Sequence, residues 1–165
     1  MPKPDKRFWN WLLLAGGLVL VDQFTKLAIL ARFQLGESLA VTSFFNLVLV
    51  YNPGAAFSFL ANAGGWQKWF FVLLALAISG WILHMLLAHP EPKRQNFALT
   101  LILGGAIGNV IDRVMYGAVV DFLDFHVAGW HWPAFNVADS GITIGAVLLV
   151  LDQLLSGRRP DAEAK

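Results

Sequence analysis

Cysteine is absent from the chain. Disulfides and thiolate chemistry are excluded with it, while the compartment is left open. Charge is the second shortage. Asp, Glu, Lys and Arg make up only 14% of the 165 residues, the formal net charge is +1, and the charges fall in clusters. Between the clusters lie stretches that only lipid or a large protein interior could solvate, since 57% of the chain is hydrophobic. Repeats and low-complexity tracts are also missing. No nucleic-acid partner is expected.

A helix crossing a bilayer core takes about 20 apolar residues. Four stretches supply them, at about residues 10–31, 66–88, 96–116 and 137–155. The first follows Lys3, Lys6 and Arg7, as a signal peptide would, but Asp22 interrupts it and no small-x-small cleavage site follows. It is therefore read as a retained helix. The expected fold is an all-α integral membrane protein with four transmembrane helices, forming a single membrane-embedded domain over residues 1–165.

The basic residues orient it. Lys3, Lys6 and Arg7 precede the first span, Lys93 and Arg94 link the second and third, and Arg158, Arg159 and Lys165 follow the fourth. Four spans put these three segments on one side. Only Arg32, Lys68 and Arg113 are within reach of the other. The bias places both termini in the cytoplasm and residues 32–65 and 117–136 outside. Trp66, Trp69, Trp130 and Trp132 flank the outer ends, as an aromatic belt would.

The outer segment 32–65 reads as β-rich. Ser38–Tyr51 is dense in β-branched and aromatic residues and stops at the turn Asn52-Pro53-Gly54. A small sheet at the outer boundary is expected. The apolar AAFSFLANAGG that follows reads as a short surface helix, either a packed connector or a flap over substrate. The tail RRPDAEAK reads as disordered.

Ionisable residues at membrane depth are costly and face the bundle interior or water. Asp22 and Lys26, four apart, share a helix face and can pair. They could settle a helix end at the interface or position a headgroup or catalytic loop. Asn109, Asp112 and Arg113 follow small residues in GGAIGNVIDR, which suits an interhelical hydrogen-bond cluster at a tight crossing. Asp121 and Asp124 lie in VVDFLDF and, in isolation, read as a solvated loop. Asn136 can cap the fourth span, with Asp139 where a capping box places its acid. The combination says more. Asp121 and Asp139 belong to the outer boundary of consecutive antiparallel spans, which would bring them together. Two carboxylates in one site cannot both ionise comfortably, so one keeps its proton. Such a pair can activate a water and protonate a leaving amine. No serine–histidine or serine–lysine set is equally well placed.

The stretches VDQFTK (21–26), FFNLVLVYNPGAAFS (44–58), GGAIGNVIDR (104–113), GAVVDFLDF (117–125) and FNVADS (135–140) resemble the lipoprotein signal peptidases, the signal peptidase II family. The resemblance covers nearly the whole chain. It implies four transmembrane helices, a small outer β-cradle and a surface helix, in a bacterial inner-membrane protein. It implies cleavage of prolipoprotein signal peptides just before a diacylglyceryl-modified cysteine, with no metal or organic cofactor. The family's aspartate dyad falls on Asp121 and Asp139. Its supporting residues fall on Asp22, Lys26, Asn52, Gly54, Asn109, Arg113 and Asn136. Prolipoproteins and membrane lipids are the implied partners, the cyclic peptide globomycin the implied inhibitor, and a monomer the expected state. Of the two acids, Asp139 is expected to be the more acidic, because the start of a helix stabilises an anion. Three other readings stay open at this point. They are a metal-dependent hydrolase using Asp121, Asp124, Asp139, His126 and His131, a carrier or proton channel, and an assembly factor without catalysis.

Overall fold

The computed structural model describes residues 4–54, 60, 64–88 and 92–156. Four long helices, α1 (Lys6–Leu30), α2 (Gln67–Ala88), α3 (Lys93–Tyr116) and α4 (Val137–Ser156), are each long and apolar enough to cross a membrane. They match the four expected spans. Two start a few residues early for local reasons. Asp5 caps α1 by accepting the Phe8 N–H at 2.8 Å, and Pro92 fixes the entry to α3.

The burial pattern is that of a membrane protein. Leu13, Leu20 and Phe24 are each more than 70% exposed, whereas Asp22, Lys26 and Asp112 are at 0–1%. Apolar side chains face outward and the charges face inward. Helix α3 is the central post: 61% of its spanning window is buried, against 17–22% in the other three. Its glycines allow this. A Cβ on Gly105 would collide with the Ala138 carbonyl of α4, and one on Gly104 would stand 2.8 Å from the Ala15 carbonyl of α1. The glycines of α4 are likewise spent on internal packing. A Cβ on Gly145 would lie 2.6 Å from the Ala98 carbonyl, and one on Gly141 would lie 2.6 Å from Leu18.

At the end of the bundle where α1 and α3 finish lies a four-stranded antiparallel sheet in the order β1 (Ser38–Ala40), β2 (Phe45–Asn52), β3 (Val119–Val127), β4 (Trp130–His131). The first two strands are the sheet expected from 32–65. The third corrects the loop reading of 117–125. Val119, Val120, Asp121 and Phe122 are all buried. A strand covered on both faces reads as a continuous apolar run and not as an alternating one. Gly117, at φ +82°, ends α3 and turns the chain into β3. Ile29, Leu49, Val120 and Phe122 form the core that seats the sheet on the helices. Trp66, Trp69, Trp130 and Trp132 are all exposed, in segments that lie at this end. The expected surface helix at AAFSFLANAGG and the expected disordered tail fall almost entirely outside the described residues.

Candidate active site

The sheet and the four helices converge on a polar centre at the sheet end. Asp121 comes from β3, where it pairs in register with Val50 of β2. Asp139 comes from the first turn of α4. Both line one cavity of about 830 Å³, together with Asn52, Arg113, Trp132 and Phe135 and the α4 residues Ile142, Thr143 and Ile144.

Each acid is held by asparagines. Asn136 donates to Asp121 Oδ1 at 2.8 Å, and Asn52 donates to Oδ2 at 3.2 Å. Asn109 donates to Asp139 Oδ1 at 2.7 Å. Asn136 also performs the expected cap, with its Oδ1 accepting the Asp139 N–H at 2.8 Å. It therefore touches both acids. Gly54 N–H closes the Asn52 turn on Asn52 Oδ1 at 3.0 Å.

Behind the asparagines lies a charged cluster cut off from water. Lys26 pairs with Asp22 and with Asp112, at 2.7 Å each. Its ammonium also reaches Asn109 Oδ1 at 3.2 Å. That contact fixes the Asn109 amide so that its NH₂ faces Asp139. The expected Asp22–Lys26 pair is thus real, but its role is internal. Asp112, noticed in the sequence only as part of a polar crossing, is a full member, as is Gln23, which donates to Asp112 Oδ1 at 2.9 Å. The three-residue spacing of Asn109 and Asp112 was the available signal for Asp112.

Arg113 forms no salt bridge among the described residues. It donates to the Gly54 carbonyl at 2.9 Å and stacks over Phe71 at 5.1 Å, and its buried Nε has no hydrogen-bond partner among the described residues. Asp124 is not part of the constellation. It pairs with His131 at 2.9 Å and accepts from Asn46 at 2.8 Å, tying β2, β3 and β4 together. The metal set imagined from Asp121, Asp124, Asp139, His126 and His131 is thereby divided, since Asp124 and His131 are spent on each other.

The electrostatics separate the acids outside the spans. Burial pushes Asp121 from 3.8 up to about 7, the charge of Asp139 adds to the rise, and the amides of Asn52 and Asn136 oppose it. For Asp124, burial works upward, but the hydrogen bonds from His131 and Asn46 outweigh it and hold the group below its ordinary value.

A family model described as signal peptidase (SPase) II matches residues 14–155. The chain belongs to the signal peptidase II family. It is thus a peptidase, and a multi-pass membrane protein by its four spanning helices. Among its relatives, the lipoprotein signal peptidase of Ralstonia nicotianae is 62% identical over 149 residues, 90% of this chain and 86% of that one. That of Cupriavidus necator is 59% identical, over 90% of this chain and 85% of its own. A bacterial membrane enzyme solved by the in meso method at 2.3 Å superposes with a TM-score of 0.85 at 32% identity, covering 100% of this chain and 99% of that one. The family's fold, four spans with a small sheet, is the one observed here.

Proposed function

We propose that this chain is an aspartyl endopeptidase that removes the signal peptide from bacterial prolipoproteins, cutting before a cysteine that already carries diacylglycerol. The observation that carries the reading is the convergence of Asp121 and Asp139 on one cavity, both carboxylates held by asparagine amides. Family membership and the names of its relatives supply the substrate class.

The chemistry follows from the two environments. Asp121, raised to about 7, is the acid that holds the shared proton. Asp139, in the first turn of α4, sits where the positive end of the helix favours an anion and is the base. Asp139 takes a proton from a water while the water oxygen bonds to the scissile carbonyl carbon and Asp121 protonates the carbonyl oxygen. When the C–N bond breaks, the diol returns a proton to Asp121, and Asp139 passes its own to the departing cysteine amine. The dyad ends as it began, and neither metal nor organic cofactor is required. The apolar wall of Val50, Phe135, Ile142 and Ile144 suits acyl chains, and Arg113, whose Nε has no partner among the described residues, is a donor for a substrate carbonyl.

The Lys/Arg bias supports cytoplasmic termini and a site near the outer face of the bacterial inner membrane. A monomer suffices, because both acids come from one chain. A globomycin-type cyclic peptide would compete for the cavity.

The test is cleavage in detergent of a diacylglyceryl-modified prolipoprotein against its unmodified form, with and without chelator. Cleavage of the modified form alone, indifferent to chelator, is expected. Equal cleavage of both forms would overturn the substrate assignment. Loss to chelator with rescue by metal would overturn the aspartyl mechanism.

A further inference from the structure

Each proposed catalytic aspartate directly follows a residue whose backbone N–H is held by a buried carboxylate from another element. The Ala138 N–H, one residue before Asp139, donates to Asp22 Oδ1 at 2.8 Å. The Val120 N–H, one residue before Asp121, donates to Asp112 Oδ2 at 3.0 Å. Lys26 joins the two holding carboxylates at 2.7 Å each. The geometry points to Asp22, Lys26 and Asp112 as a clamp that sets the relative placement of the two catalytic backbones, with Asp112 as a positioning residue for the dyad. This inference rests on the aspartyl reading above.

Three features favour a clamp over a bundle-stabilising ion cluster. First, two carboxylates and one ammonium carry one excess negative charge in the interior, and apolar packing of similar volume often serves stability at least as well as such a cluster. That charge is matched by the two backbone N–H donors, one of them in the first turn of α4, where the helix dipole adds its share. Second, each holding carboxylate divides its two oxygens in a way that leaves little freedom. Asp22 gives Oδ1 to Ala138 and Oδ2 to Lys26. Asp112 gives Oδ2 to both Val120 and Lys26, and its Oδ1 accepts from Gln23. Third, the cluster reaches the acids by a side-chain route as well, through Lys26 and Asn109 to Asp139. The clamp spans α1, α3, β3 and α4, the elements whose relative motion would pull the dyad apart. A displacement of about 1 Å at reacting groups costs on the order of a hundredfold in rate.

The experiment measures kcat and KM for Asp112→Ala and Asp112→Asn, with Asp121→Asn and Asp139→Asn assayed alongside. Asparagine keeps an oxygen for the Val120 N–H and Lys26 and gives up the hydrogen bond from Gln23, whose amide also donates to Asp22 and to the Gly108 carbonyl. Asp112→Ala is expected to lose about tenfold or more in kcat with KM within about threefold, and Asp112→Asn to recover part of the loss. If Asp112→Ala does not accumulate folded, Val120 replaced by its α-hydroxy acid removes the N–H alone and should give the same kcat loss at unchanged KM. Wild-type kcat in Asp112→Ala or in the ester, or an asparagine variant no better than the alanine one, would overturn the clamp. If either dyad variant stays fully active, the aspartyl reading fails first. If both are dead while Asp112→Ala is unimpaired, the clamp alone fails.

Discussion

Asn136 holds Asp121 by a 2.8 Å hydrogen bond from its side-chain amide, while its side-chain oxygen caps α4. Capping and acid orientation therefore reside in one residue, and substitution can separate them. Serine is a good N-cap but cannot donate as the amide does. Asn136→Ser should be more stable than Asn136→Ala by about 1 kcal/mol. Both variants should be impaired in cleavage to a similar degree, about tenfold or more. Thermal denaturation and initial rates on the same preparations check this. A serine variant with wild-type activity would show that the amide is not needed at Asp121.

The raised pKa of Asp121 makes a statement about stability. Its carboxyl binds a proton more tightly in the folded chain, at about 7, than at its ordinary 3.8. The stability tied to that proton is fully present below about 4 and is lost as pH rises through about 7. Asp121→Asn removes the titration. The variant should therefore gain on wild type as pH rises from about 5 to 8, by at most about 3 kcal/mol, since roughly two units of that range lie below the folded value and each contributes 1.36 kcal/mol. Denaturation midpoints in detergent at the two pH values test the sign. A difference independent of pH would place the proton elsewhere.

Much of the site is legible in the sequence where partners are close along the chain. The Asp22–Lys26 pair follows from i,i+4 geometry, and the Asn136 cap of α4 follows from position and residue type. The grouping of Asp121 with Asp139 follows from antiparallel spans joined by a short loop. What was not legible depends on distant neighbours. Asp121 looked like a loop residue because β3 is covered on both faces, and its partner β2 lies about 70 residues away with a register shift between Leu47 and Val50. Asp112 looked like one more polar residue at a helix crossing. Its importance comes from the Val120 N–H and Lys26, contacts that exist only once the strand is in place. The centrality of α3 was hinted at by its glycines, but which helices they admit is a property of the packing.

Gly108 is the position where packing and charge meet. A Cβ there would lie 2.7 Å from Asp22 Oδ2 and 3.2 Å from the Ala138 side chain. Gly108→Ala should cost about 1–3 kcal/mol through overpacking. It should also lower cleavage more than an equally destabilising change at the far end of the bundle, because it displaces the carboxylate behind Asp139. Comparing the two at matched Tm separates the effects.

Asp124 provides the contrast. Its partners are His131 and Asn46, and it stands apart from the dyad. Asp124→Asn should leave kcat within about threefold of wild type and loosen the β3–β4 hairpin by a small amount, since His131 is half exposed. Abolished cleavage in a folded Asp124→Asn variant would restore this acid to the chemistry and revive a three-carboxylate reading.

In the proposed function, Asp121 and Asp139 together cleave the peptide bond. Single-turnover cleavage of a diacylglyceryl-modified prolipoprotein by folded Asp121→Asn and Asp139→Asn, with substrate binding measured in parallel, tests it most directly. Binding near that of wild type and a rate reduced by about a thousandfold or more are expected in both variants. Substantial cleavage by either one would remove that aspartate from the mechanism and contradict the account.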